Sequence, residues 1–117
     1  MENKDGNIRF EYKGDTITAY ISSEIDHHRA GRLRETMDER LYRDRPKHFS
    51  IDMSGVSFMD SSGLGLILGR FTLCRELSIE FKLTNPSDRV RKLLDLAGTG
   101  RLIRIEGRTK NDKEVSR

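Results

Sequence analysis

Cysteine is nearly absent from this chain, which has one thiol, Cys74, in 117 residues, and neither tryptophan nor more than 2 prolines. One thiol cannot close an internal disulfide or build a cysteine metal cluster, and such usage fits a reducing compartment. Long apolar runs are missing too. The start, MENKDGN, lacks the apolar stretch of a signal peptide, and no run approaches the roughly 20 residues that cross a bilayer. A cytoplasmic protein without membrane contact is expected. An excess of one charge is also lacking: 22 Lys and Arg stand against 19 Asp and Glu, interspersed, for a net charge of +3. That argues against direct nucleic-acid binding. What the chain has in quantity is charge of both signs, 35% of residues against 34% hydrophobic. One domain with an economical core and a densely charged surface is expected.

The pattern alternates strand and helix. Ile8 to Lys13 and Thr16 to Ile21 are β-prone runs about Gly14-Asp15, a pair suited to a tight hairpin. From Asp26, an expected N-cap, Ala30, Leu33, Met37 and Leu41 fall on one helical stripe. Arg45-Pro46 ends that helix, because the residue before proline is pushed out of helical dihedrals. Phe49 to Met53 reads as a buried strand, and a second helix follows with Leu64, Ile67, Leu68, Phe71 and Cys74 or Arg75 at helical spacing. Gly65 and Gly69 weaken it by about 1 kcal/mol each relative to alanine, so close packing is the expected reason for them. Ile79 to Leu83 is the next strand. Asn85 is the expected cap and Pro86 the first-turn residue of a third helix, which buries Val90, Leu93, Leu94 and Ala97 and stops at Gly98. Leu102 to Ile105 reads as a last strand, and residues 108–117, RTKNDKEVSR, as a charged, frayed tail. Repeated strand-then-helix units imply parallel strands beside the opening antiparallel one. The expected fold is a single α/β domain over residues 1–107, with a mixed four- to five-stranded sheet and three to four helices. Sites in such sheets gather at the carboxyl ends of the strands, where Ser23 to His28 and Met59 to Ser62 fall.

The segment VSFMDSSGLG at 56–65 offers several chemistries. Capping of the second helix needs only one of Asp60, Ser61 and Ser62 and is worth about 1 kcal/mol. The hydrolase elbow G-x-S-x-G is absent, since Met59 precedes Ser61 by two positions and Asp60 precedes Ser62. Neither His27 nor His28 completes a triad, because adjacent side chains at a helix start diverge. Asp26-His27-His28 is similar to the signature of a two-metal phosphoesterase family, but that cage needs acidic ligands beyond Asp52 and Asp60. As zinc ligands the two histidines lack helical spacing and a third partner. No phosphate-binding loop surrounds Gly63 and Gly65. Arg89, Arg91 and Lys92 have no interleaved aromatics and read as solvated surface.

Taken together, SFMDSSGLG followed by ILGR, EIDHH at the first helix and NPSDRVRKLLDLAG at the third resemble the STAS-domain anti-sigma factor antagonists, those of the sporulation switch above all. The likeness spans residues 8–106 in order. It implies no catalytic activity, no cofactor and no metal, but a protein that binds an anti-sigma factor which is also a serine kinase, releases the sigma factor, and is switched off by phosphorylation. A serine phosphatase would reset it, and the free protein would be a monomer. The family's modified serine directly follows the Asp of D-S-S-G, which falls on Ser61. Glu24, Asp26, Asp60, Ser62 and Gly63 match the partner-binding surface. Two departures stand out: residues 107–117 lack the apolar stripe of the family's terminal helix, and Glu76-Leu77-Ser78 replaces a glycine-bearing turn. The alternative is a STAS module that binds without being phosphorylated, in another sigma or stress pathway.

Overall fold

A computed structural model describes residues 7–107. Its elements are β1 (Ile8–Lys13), β2 (Thr16–Ile21), α1 (His27–Asp44), β3 (His48–Asp52), α2 (Ser61–Glu76), β4 (Glu80–Thr84), α3 (Asp88–Leu96), a 3-10 turn (Thr99–Arg101) and β5 (Arg104–Glu106). The strands form one sheet in the order β1-β2-β3-β4-β5. β1 pairs antiparallel with β2, and the remaining pairs are parallel. The expected mixed sheet is therefore present with five strands.

Each crossover advances one strand in the same direction, so its right-handed sense puts all three helices on one face. The burial pattern agrees. Ile17, Ala19, Ile21, Phe49, Ile51 and Leu83 point into the core beneath the helices, where the Phe71 ring of α2 meets Phe81 of β4 edge-on at 6.2 Å. The alternate residues, Thr16, Thr18, Tyr20, Ser50, Lys82, Thr84 and Glu106, line an open polar depression on the other face. α1 buries Leu33, Met37 and Leu41, while Ala30 is half-buried. It ends at Arg45, whose left-handed backbone (φ 43°) turns its N–H back to Leu41 O at 3.0 Å.

Several expectations need correction. α2 buries Leu66, Arg70 and Leu73 beside Ile67 and Cys74, whereas Leu64, Leu68 and Phe71 are half-buried. It packs against both α1 and β4, so its apolar residues spread around the axis rather than along one stripe. Asn85 does not cap α3. It takes φ 56°, and its amide donates to Asp52 Oδ2 at 2.8 Å, while Ser87 accepts from Val90 N at 3.2 Å and is the cap. Pro86 consequently precedes the helix. Ala97 is exposed as the C-cap residue, followed by Gly98 at φ 74°. Gly65 and Gly69 have no close neighbours among the described residues beyond their own helix, since a Cβ at either would meet nothing there within 4 Å. The last strand begins only at Arg104, because Leu102 closes the 3-10 turn and is 60% exposed. The tail at 108–117 and the terminal helix lie outside the described residues.

Candidate functional site

Two loops leave the carboxyl end of the sheet, one from β2 into α1 and one from β3 into α2. A parallel bridge joins Ile25 to Met59, with Ile25 N donating to Phe58 O at 3.0 Å and Asp60 N to Ile25 O at 3.3 Å. Each bridging residue is buried and is followed directly by an aspartate that caps a helix. Asp26 accepts from Arg29 N at 2.9 Å, and Asp60 from Ser62 N at 2.8 Å. The two helix starts thus stand side by side, and their first turns touch where Ser62 Oγ approaches His27 Nδ1 at 3.5 Å. The Arg29 N–H bond, with the Arg29 and His28 charges, holds the Asp26 carboxyl below its ordinary value.

Ser61 and Ser62 have different surroundings. Ser62 is half-buried, with its N–H and hydroxyl engaged, whereas Ser61 is exposed in the first helical position. There its hydroxyl stands at the positive end of the α2 dipole, where N–H groups favour an anion. Gly63 is buried, and a Cβ there would lie 2.8 Å from Met59 Cβ and 2.9 Å from Sδ. Glycine is what lets α2 start this close to the bridged loop. Glu24 is exposed on the neighbouring loop, so Glu24, Asp26, Asp60, Ser61 and Ser62 share one end of the molecule.

Sequence reasoning missed Phe58, an aromatic left 41% exposed beside Asp60. The apolar order V-S-F-M does not mark it, since Val56 and Met59 are buried while Ser57 and Phe58 face out. Asp52 has a structural task. It is 92% buried by its 8% exposure, and accepts from Ser54 N at 3.0 Å, Ser54 Oγ at 2.6 Å, Thr84 Oγ1 at 3.3 Å and Asn85 Nδ2 at 2.8 Å. Burial alone would raise its pKa, but these bonds together outweigh it and lower the value. The network pins the loop after β3 to the end of β4. Among the described residues no group of three or more His, Cys, Asp and Glu is placed to hold a metal ion, and no helix is long and apolar enough to cross a membrane.

A mixed sheet with its helices on one face, and two capped helix starts bridged at its carboxyl end, defines a small α/β interaction domain. Residues 7–112 match the STAS domain, and the chain belongs to that family. It is 34% identical over 98 residues to the anti-sigma F factor antagonist of Paenibacillus polymyxa, covering 84% of each chain. Its identity to the anti-sigma-B factor antagonist of Listeria monocytogenes is 32% over 103 residues, covering 86% of this chain and 90% of that one. Among solved structures it is similar to the anti-sigma factor antagonist SpoIIAA in its unphosphorylated form, with a TM-score of 0.75, 27% identity and 91% of each chain covered. The phosphorylated form of the Bacillus protein aligns with a TM-score of 0.68 and 25% identity over 93% of this chain and 97% of that one.

Proposed function

We propose that this chain is an anti-sigma factor antagonist that binds an anti-sigma factor with serine kinase activity, frees the sigma factor, and is switched off by phosphorylation of Ser61. The observation that carries this reading is the placing of Ser61, the exposed hydroxyl directly after a capping aspartate at the start of α2. The similarity to proteins named as antagonists, one of them solved with and without phosphate, supports it. Glu24, Asp26, Asp60, Ser62 and the exposed Phe58 surround the hydroxyl as the docking surface, and Gly63 keeps the loop in place beneath it. The chain has no catalytic chemistry of its own. It works in the cytoplasm as a monomer, and a serine phosphatase returns it to the active form.

The physics of the switch is electrostatic. A phosphate on Ser61 brings about −1.5 to −2 charges next to Asp60 and on the same end as Asp26 and Glu24. Its repulsion and desolvation oppose docking, while the helix terminus favours the anion by roughly 0.3 to 1 kcal/mol. The phosphorylated domain therefore stays folded and loses its partner. The anti-sigma-B relatives favour a second reading of the pathway, in which the same switch serves a sigma-B type factor. Incubation with anti-sigma F and anti-sigma-B factors and ATP, followed by mass spectrometry, tests the proposal. One phosphate on Ser61 is expected with one of them, none on Ser61→Ala, and a folded, non-binding Ser61→Asp. Absence of phosphate with every such kinase would favour a passive binding module, and persistent labelling of Ser61→Ala would move the site to Ser62.

A further inference from the structure

The two serines of α2 are consecutive, so their side chains leave the helix axis about 100° apart, and a kinase docked at this end meets both hydroxyls. Their surroundings separate them. Ser61 is exposed, whereas Ser62 is half-buried and stands opposite His27, the exposed first residue of α1. Ser62 Oγ lies 3.5 Å from His27 Nδ1, and the Ser62 N–H is held by Asp60 Oδ1 at 2.8 Å.

The backbone fixes this juxtaposition. His27 follows Asp26 and Ser62 follows Asp60 and Ser61, and the bridge between Ile25 and Met59 holds the two helix starts in register. The contact with Ser62 is the one hydrogen bond of the His27 side chain among the described residues. An exposed imidazole whose sole polar contact within the fold is a hydroxyl beside the switch serine adds little to the core, so its role is sought at the switch.

We infer that His27 is a specificity-determining residue of the switch: it holds the Ser62 hydroxyl towards α1 and so confines phosphorylation to Ser61. The inference rests on the function proposed above and deepens it. Transfer forms a bond from the serine oxygen to the γ-phosphorus of ATP and breaks the bond from that phosphorus to the bridging oxygen. ADP leaves, and the hydroxyl proton passes to a base of the kinase. The oxygen must therefore turn its lone pairs to the incoming phosphorus. Ser61 Oγ, exposed, is free to do so. Ser62 Oγ must first leave the staggered position that faces Nδ1, and a contact this long opposes the turn by a factor of about 3. The rival role for the same pair is His27 as general base for Ser62, which predicts the opposite response to removing the ring.

Phosphorylation by anti-sigma F and anti-sigma-B factors with ATP, stopped early and mapped by tandem mass spectrometry, tests this in wild type, His27→Ala and His27→Asn. The readout is the ratio of phosphate on Ser62 to phosphate on Ser61, from which any change in docking cancels. His27→Ala is expected to raise the ratio at least about 3-fold. His27→Asn, whose amide oxygen can take the place of Nδ1, is expected to keep it at the wild-type value. In a Ser61→Ala background, prolonged incubation is expected to place phosphate on Ser62 faster when His27 is alanine than when it is histidine or asparagine. A smaller rise in His27→Ala means that exposure alone separates the serines and overturns the inference. A fall makes His27 a base and overturns it too, as do equal rises in His27→Ala and His27→Asn, which assign the effect to the bulk of the ring. In each of these outcomes wild type still carries its phosphate on Ser61, and the function stands. Wild type left without phosphate by both factors removes the functional reading and this inference with it.

Discussion

Alanine at Gly63 and alanine at Gly69 are the same chemical change on the same helix, and the structure assigns them opposite signs. At Gly63 the new Cβ would sit 2.8 Å from Met59 Cβ, 2.9 Å from Sδ and 3.1 Å from Cγ. The thioether can swing, but Met59 is buried and its backbone is held by the bridge to Ile25, so Cβ cannot follow. Overpacking of this kind costs about 1–3 kcal/mol, and the better helix propensity of alanine returns at most about 1. With Met59 Cβ fixed, the cost falls in the upper part of that range, about 2–3 kcal/mol, so a net loss of about 1–2 kcal/mol remains, which lowers the melting temperature of a domain this size by roughly 4–15 °C. At Gly69 an added Cβ would meet nothing within 4 Å among the described residues beyond its own helix, only the propensity gain applies, and a rise of about 4–8 °C is expected. Thermal unfolding followed by circular dichroism decides. Shifts of the same sign in the two variants would refute the assignment of Gly63 to close approach and of Gly69 to open space.

The Asp52 network predicts a pH-dependent term. Because its folded-state pKa lies below the ordinary 3.8, the stabilisation is complete above the unfolded-state value and is lost as pH falls through the folded one. Asp52→Asn is expected to cost about 2 kcal/mol near neutrality, with the gap to wild type in urea midpoint narrowing as pH falls below the ordinary carboxylate range; a constant gap would show that the carboxylate charge is not what the four donors hold. Cys74 is fully buried, and burial pushes its thiol up to about 12. It is expected to resist a thiol reagent until the domain unfolds, and rapid labelling in native buffer would contradict its placement.

Much of the architecture was legible because the elements that set it are periodic or punctuated. The hairpin about Gly14-Asp15, the α1 stripe and the Asp26 cap announce themselves through local chemistry, and the cap of α2 was narrowed to Asp60, Ser61 or Ser62, of which the structure uses Asp60. The errors fall where tertiary contacts override that chemistry. Asn85 has every attribute of a cap, but the buried Asp52 needs its amide, and Ser87 takes over the helix. Packing on two sides hides Leu66, Arg70 and Leu73 from a search for one stripe. For the site, the serine pair and both aspartates were visible as a motif, while their adjacency depends on the Ile25–Met59 bridge, which joins residues far apart in the chain. The exposure of Phe58 is a property of a surface and has no counterpart in a linear pattern.

That bridge has only two rungs, the amides of Ile25 and Asp60. Both report from the backbone, not from side chains that a partner would cover directly. The pair therefore works as a built-in strain gauge: solvent exchange at these amides reads how firmly the two loops grip one another. A modification that acts purely through charge leaves the reading unchanged, and one that pries the helix starts apart raises it at both positions together.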